Sequence, residues 1–544
     1  MKGEEMSAEP GKAKAGNADA ATGGIARSAG AVSAAVMCSR LLGLVREQIF
    51  AALFGAGYDY DAFVVAFRIP NLLRDLFGEG ALSAAFVTVF TEYDSRRSPR
   101  ETWELAGNVI VFIALLLGLL TLVGMVLATP IVNLLAPGFH AVAGKTALTT
   151  LLTRIMLPFL LFISLSAVVM GMLNTKGRFF IPALASSFFN LGSIIGGVGL
   201  ALLLPRFGLP AIVGMALGTL VGGLLQLLMQ LPSLKRSGFR FLPRLDLRDP
   251  GLHRILLLML PAVVGLSATQ INIFVNTNFA ASCAQGSVSW LNYAFRMVQL
   301  PIGIFGVAIS IAAMPVLARH AAAADMVRLR TTYTSSLIMV LALTIPATVG
   351  LILLAEPIIR LIFEHGEFTS LDTARTAEAL VFYSLGLFAY GAVKIMVPVF
   401  YALGTTRFPV IGSFLAVGAN IVIITLTIDT FQHRAIALST SCAMTLNFFF
   451  LGTVLYRKLG GYPLGHLLVG LMKIAIAAAV MAAGLLLARP LLAALPEETM
   501  GGRLAAVLLP VTGGALLYGV SVSLLGIPEL KVVGNGLLRR LRCL

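Results

Sequence analysis

Charge is scarce in this chain. Only 12% of its 544 residues are Asp, Glu, Lys or Arg, while 58% are hydrophobic, and mean hydropathy is +0.92. A soluble globular domain carries about a quarter charged residues, so that class is excluded. Cysteine is scarce too: Cys38, Cys283, Cys442 and Cys543 are scattered and none forms a CxxC, which argues against a disulfide framework or a thiolate metal site. The chain has no phosphate loop and no nucleophile–base signature, so catalysis is disfavoured and neither a cofactor nor a metal is expected. Residues 1–24 contain no apolar core of the signal-peptide type and are expected to be a disordered, polar tail.

What the chain has in abundance is long apolar runs. VIVFIALLLGLLTLVGMVLA and LMKIAIAAAVMAAGLLLA are long enough to cross a hydrocarbon layer of about 30 Å. Fourteen spans are predicted, near 27–55, 61–93, 104–136, 147–174, 179–205, 208–231, 251–282, 287–318, 329–363, 373–403, 408–430, 434–456, 464–488 and 504–526. The net charge of +15 is not read as a nucleic-acid signal, because most of it is distributed by topology. Loops after even-numbered spans carry Arg96, Arg97, Arg100, Lys176, Arg178, Lys235, Arg236, Arg240, Arg244, Arg248, Arg319, Arg328, Arg330, Arg407, Arg457 and Lys458. Loops after odd-numbered spans carry chiefly Lys145, Arg206, Arg375, Arg434, Arg489 and Arg503. The positive-inside rule then puts both termini in the cytoplasm.

An internal repeat organises the spans. Ala66-Phe67-Arg68 leads to Phe77-Gly78, and Ala294-Phe295-Arg296 leads to Phe305-Gly306 after the same gap, an offset of 228 residues. LNTKGRFFIP with Arg178 echoes ALGTTRFP with Arg407 at an offset of 229. Two agreeing offsets imply a duplicated six-helix unit. Six is even, so the copies insert with the same orientation. The expected fold is an all-α polytopic membrane protein of about fourteen transmembrane helices, with two parallel six-helix lobes around a central cavity and two further C-terminal helices. The expected parts are an N-lobe over 25–231, a cytoplasmic linker over 232–250 and a C-lobe over 251–459. Residues 460–544 would supply spans 13 and 14 and a cytoplasmic C-terminus.

Within this apolar frame four arginines stand out: Arg40, Arg46, Arg74 and Arg296. An arginine at the bilayer centre costs about 2.5–3.5 kcal/mol on insertion scales, so such residues face water or a partner charge. Guanidinium is also the side chain best shaped to hold a phosphate through two parallel hydrogen bonds. Arg40 and Arg46 lie about 120° apart on a helical wheel, and Gly43 between them permits a bend. Glu47 is expected to pair with one of them. Arg74 follows Pro70 by four residues, where the ring disrupts the helical turn. Arg296 has no acid within seven residues and is the strongest single candidate. Asp61, Arg68 and Asp75 recur every seven residues, which fits a self-neutralising ladder on one helix face. Asp61, Arg68, Glu79 and Lys394 join Glu47 as supporting cavity charges. Glu79, between two glycines, reads either as a helix-contact residue or as a proton-coupling group.

The stretch SRLLGLVREQIFAALFGAG, followed by DAFVVAFRIPNLLRDLFGEGALSAAFVTVFTEY, resembles the opening of the MurJ (MviN) lipid II flippase family. The resemblance continues through APGF, LNTKGRFFIPA, GSVSWLNYAFRMVQLPIGIFGVAI, FEHGEF and KIMVPVFYALGTTRFPV. It covers essentially everything after residue 25, and the family belongs to the multidrug/oligosaccharidyl-lipid/polysaccharide (MOP) exporter superfamily. It implies transport of undecaprenyl-pyrophosphate-linked disaccharide-pentapeptide, lipid II, to the outer face of the bacterial inner membrane for peptidoglycan synthesis. It also implies that Arg40, Arg46, Arg74 and Arg296 are the essential arginines, and that Glu47, Asp61 and Glu79 match acidic positions. Two departures matter. Phe295 stands where some members carry Asp, and span 7 has no acid, which puts a sodium site in doubt.

The resulting expectation is a monomeric flippase working by alternating access on lipid II. Spans 13 and 14 would form a groove for the lipid tail, in contact with membrane lipids. A partner in the cell wall synthesis machinery is left open, and no nucleic acid is involved. The rivals are a flippase for another polyprenyl-linked glycan, a MATE-like drug or cation antiporter, and a membrane enzyme acting on polyprenyl phosphates. A cation antiporter would want carboxylates in the C-lobe, where this chain supplies Arg296 and Lys394.

Overall fold

The computed structural model describes residues 12–78, 80–493 and 499–530. Among them every regular element is a helix. In chain order these are α1 (Lys12–Phe54), α2 (Tyr58–Leu73), α3 (Ala81–Arg96), α4 (Pro99–Val126), α5 (Ala128–Leu135), α6 (Lys145–Met156) and α7 (Phe159–Thr175). Then come α8 (Phe180–Leu203), α9 (Ala211–Leu228), α10 (Leu231–Arg236), α11 (Pro250–Ala281), α12 (Ser287–Pro301), α13 (Ala308–Ala322) and α14 (Met326–Leu353). The last seven are α15 (Ala355–Phe363), α16 (Ser370–Ser384), α17 (Leu387–Ala402), α18 (Arg407–Phe431), α19 (His433–Lys458), α20 (Leu464–Ala493) and α21 (Met500–Leu525).

Among the described residues, eleven helical segments are long and apolar enough to cross a membrane, or twelve if the pair α16 and α17, bent by 44°, is one span. A count of fourteen is therefore not confirmed. The difference falls on the first two expected spans. The second span is divided into α2 and α3, each of 16 residues. The expected tail also differs: α1 begins at Lys12, so residues 12–24 are helical, in keeping with the Ala and Lys of KAKAGNADAA. Residues 1–11 lie outside the described residues, as do the last fourteen of the C-terminal segment, 531–544.

The duplication is written into the irregularities of the helices. After Pro70, α2 runs into a π-helical segment, Arg74–Gly78; after Pro301, α12 runs into another, Ile302–Val307. Their starts are separated by the 228 residues of the sequence repeat. The turns at Gly177 (φ 72°) and Gly404 (φ 66°) lie in the second pair of motifs but correspond at an offset of 227, two less than the pairing of Arg178 with Arg407, and each is closed by a backbone bond spanning five residues, Arg178 N to Leu173 O and Thr405 N to Phe400 O, both 2.9 Å. A third echo escaped the sequence reading. ATPIVNLL and AEPIIRLI are the short helices α5 and α15, which break away from α4 and α14 at Leu127 and Leu354.

The chain divides into two compact units. The first comprises the chain up to Ile49, Ala66–Ala128 and Thr150–Leu266; the second comprises Phe50–Val65, Thr129–Thr149 and Ser267 onward. In the first unit Phe86, Phe90, Leu105, Leu160, Met172 and Leu252 form a fully enclosed core. The expected linker docks on this unit. Asn108 Nδ2 donates to Asp246 O and accepts at Oδ1 from Asp246 N, both at 2.9 Å, so one buried amide satisfies both backbone groups. Helices α8 and α9 approach through glycines, and a Cβ at Gly218 would sit 2.4 Å from Gly197 Cα. Gly218→Val is therefore expected to cost about 1–3 kcal/mol by overpacking, read as a lower thermal midpoint in detergent. An unchanged midpoint would show that the helices can separate freely.

The second unit has its core around Tyr333, Leu337, Leu341, Met396, Phe400 and Leu451. Helices α20 and α21, which lie outside the repeat, join it through Ile474, Met481 and Tyr518, whose hydroxyl donates to Ala342 O at 2.6 Å.

Candidate functional site

In the first unit, α1 is held to α8 by Asn190, whose Nδ2 donates to Ser39 O at 3.0 Å. Gly43 lies beside the same amide, and a Cβ there would make only an ordinary contact with it at 3.6 Å. Arg40 is exposed on this helix. Arg46 is different: its side chain is 11% exposed, and Nη2 donates to Glu47 Oε1 at 2.8 Å. Its guanidinium carbon lies 5.3 Å from the centre of the Phe189 ring. Glu47 thus takes the partner expected of it, and Nε is left buried without an acceptor among the described residues.

Arg74 opens the π segment that follows Pro70 and meets Asp75 Oδ1 through both Nε (3.2 Å) and Nη2 (2.9 Å). Both side chains remain about a quarter exposed, at 26% and 29%. A π turn re-aims the residues that follow it, because the extra residue per turn breaks the regular stripe. Arg68 is half-buried on α2. Glu79 lies outside the described residues.

Arg296 belongs to the second unit, half-buried on α12, next to Phe295, whose ring packs against Tyr383 at 5.3 Å and Tyr390 at 6.4 Å. Lys394 is exposed in the middle of α17, with its stem beside the π segment at Gly306. Its carbonyl accepts from Ser310 Oγ at 2.7 Å.

Asp61 departs most from expectation. It is 1% exposed. Its Oδ2 accepts from Lys145 Nζ and Gly286 N, each at 2.8 Å. Its Oδ1 accepts from Ser289 N at 2.9 Å and Ser289 Oγ at 2.5 Å. Four donors fill the carboxylate, so Asp61 offers no face to a substrate and does not form a ladder with Arg68. It ties the start of α2 to α6 and to the N-terminus of α12, where unpaired backbone N–H groups favour an anion. Lys145, assigned only to a loop by the sequence reading, is equally enclosed, with Nζ 4.3 Å from the Phe139 ring centre. One signal was available. Ser289 stands 228 residues after Asp61, so the two occupy equivalent places in the repeat. Beside them Tyr60 stacks on Tyr293 at 4.7 Å, and Tyr293 donates to Gly55 O at 3.2 Å.

The known proteins that this chain resembles are consistent with one another. The sequence model of the family described as "Lipid II flippase MurJ" matches residues 50–495. A probable lipid II flippase MurJ of Vibrio cholerae is 36% identical over 466 residues, covering 84% of this chain and 87% of the relative. One from Buchnera aphidicola is 36% identical over 427 residues, covering 78% and 83%. A solved structure described as lipid II flippase MurJ in an inward closed conformation superposes with a TM-score of 0.76 at 29% identity, covering 91% of this chain and 98% of that one. An inward-facing MATE transporter of the MOP superfamily matches at a TM-score of 0.64 and 18% identity, over 78% and 95% of the two chains, which shows a shared fold alone. The protein is a polytopic membrane protein and belongs to the MurJ lipid II flippase family.

Proposed function

We propose that the protein carries lipid II from the cytoplasmic to the periplasmic face of the bacterial inner membrane by alternating access, for cell wall synthesis. The observation that carries this reading is family membership over residues 50–495. The chemistry supports it: Arg46 is buried in an apolar helix with only part of its guanidinium engaged, as a pyrophosphate grip requires. In this reading Arg40, Arg46, Arg74 and Arg296 hold the pyrophosphate. Glu47 orients Arg46, Lys394 and Arg68 add positive potential, and the groove of α20 and α21 takes the lipid tail. Asp61 acts elsewhere, and the bonds it makes with Lys145, Gly286 and Ser289 must be exchanged if that end of the second unit is to open. Binding an organic cation would need carboxylates where this half supplies Arg296 and Lys394. Complementation of a lipid II flippase-depleted strain, with lipid II accessibility measured on the outer face, tests the function. Failure by a well-expressed protein would reject it.

Orientation has its own test. Lys235, on the short helix α10, and Glu367 are exposed in the connections after an even and an odd span. Single cysteines at these positions, in a background without the native ones, are expected to label from opposite sides of the membrane, Lys235→Cys from the cytoplasm. Labelling of both from the periplasm would overturn the topology.

A further inference from the structure

The second unit contains a cavity of about 480 Å³ that the transport reading does not use, lined by Gln285, Trp290, Arg375, Gln432, His433 and Arg434, with Asp372 at its wall. All of these belong to loops after odd-numbered spans or to the helix ends beside them. The volume falls within the range of small-ligand sites and suits a dipeptide or a monosaccharide.

Its charges are unevenly matched. Asp372 is already satisfied: Oδ1 accepts from Trp290 Nε1 at 2.9 Å, and Oδ2 accepts from Thr369 N and Oγ1 at 3.0 and 2.9 Å, capping α16. Glu378, which does not line the cavity, is the acid that Arg375 and Arg434 share. It lies 3.3 Å from Arg375 Nη1, 3.9 Å from Arg434 Nε and 3.8 Å from His433 Nε2. His433 Nε2 is also 3.1 Å from Arg375 O, and Arg434 Nε donates to Phe431 O at 3.2 Å. One carboxylate therefore faces two guanidiniums, and the terminal nitrogens of Arg434 have no hydrogen-bond partner among the described residues. Both arginines stay accessible, at 43% and 34%. The backbone is committed to this arrangement: Gln432 has a φ of 50°, a conformation side-chain-bearing residues rarely adopt. The turn at Gln432 starts α19 and presents His433 and Arg434 to the cavity.

We propose that this cavity is a binding site for a carboxylate-bearing ligand, either the free C-terminus of a short peptide or a sugar acid. The ligand carboxylate takes the guanidinium fork of Arg434 and shares Arg375, with the two glutamine amides and the Trp290 edge forming the walls. Glu378 is the internal competitor for the same donors. That competition separates a binding site from a structural ion cluster.

Saturation-transfer NMR on the full-length protein in detergent tests this with three probes: N-acetyl-Ala-Ala with a free carboxylate, its C-terminal amide, and glucuronate. At least one carboxylate probe is expected to bind, with the amide about tenfold weaker. Arg375→Gln and Arg434→Gln are each expected to weaken binding by about tenfold, while Glu378→Gln tightens it several-fold by releasing both arginines. Response to the dipeptide alone identifies a peptide terminus, and response to glucuronate alone identifies a sugar acid. With thermal midpoints confirming folded variants, the proposal falls if neither carboxylate binds the unaltered protein, or if the amide binds equally well. It also falls if Glu378→Gln weakens binding as the arginine changes do.

Discussion

Alanine at Arg46, Arg74 or Arg296 is expected to abolish rescue of a flippase-depleted strain while the protein remains in the membrane at normal level. Each guanidinium offers charge-assisted hydrogen bonds worth about 1.5–3 kcal/mol apiece, so losing one weakens a pyrophosphate grip by about ten- to a hundredfold. Lysine keeps the charge but not the planar fork, and is expected to rescue only in part. Arg46 needs a control of its own, because its removal strands the buried Glu47 carboxylate, 4% exposed. Arg46→Ala combined with Glu47→Gln removes that stranded charge. If the double variant folds well and still fails, the loss belongs to the site. Normal rescue by the single alanine variants at native expression would remove these arginines from the proposed grip.

The membrane class and the duplication were legible because both are one-dimensional signals. Apolar runs are counted along the chain, and the offset between Arg68 and Arg296 is read from the sequence. The same offset reappears in three dimensions as paired π segments at Arg74 and Ile302. Arg46 with Glu47 was legible for a similar reason, since the partners are neighbours. Long-range pairing was not. Asp61 finds Lys145, 84 residues away, and Ser289, 228 away, and no helix-face argument on α2 alone points to either. Periodicity assigned Asp61 to a stripe with Arg68, whereas tertiary contacts took its carboxylate away from that stripe. The count of fourteen spans is left unconfirmed at the first two, the second of which is divided into α2 and α3. At the junction of the two halves the backbone comes too close for a side chain, since a Cβ on Gly80 would sit 2.2 Å from Asp75 O. The docked linker was signalled only by Asn108, a lone amide near the start of an apolar run.

Asp61→Ala is expected to be more damaging than Lys145→Met, although the two side chains form one ion pair. The asymmetry follows from the bond inventory. Removing Asp61 leaves a buried ammonium, two backbone N–H groups at the start of α12 and the Ser289 hydroxyl without their acceptor. Breaking a buried pair from one side costs about 3–5 kcal/mol, and the stranded N–H groups add to it. Removing Lys145 leaves Asp61 with three donors at a helix N-terminus, an environment that by itself favours a carboxylate. Methionine also retains the apolar stem against the Phe139 ring. The double variant Asp61→Ala with Lys145→Met is expected to recover part of the loss, because it no longer buries an unpaired ammonium. Thermal unfolding of purified protein in detergent gives the ranking: unaltered protein, Lys145→Met, double variant, Asp61→Ala, in falling order of midpoint. Equal effects from the two single changes would reduce the cluster to a simple ion pair. A double variant less stable than Asp61→Ala would show that Lys145 is stabilised by something other than this carboxylate.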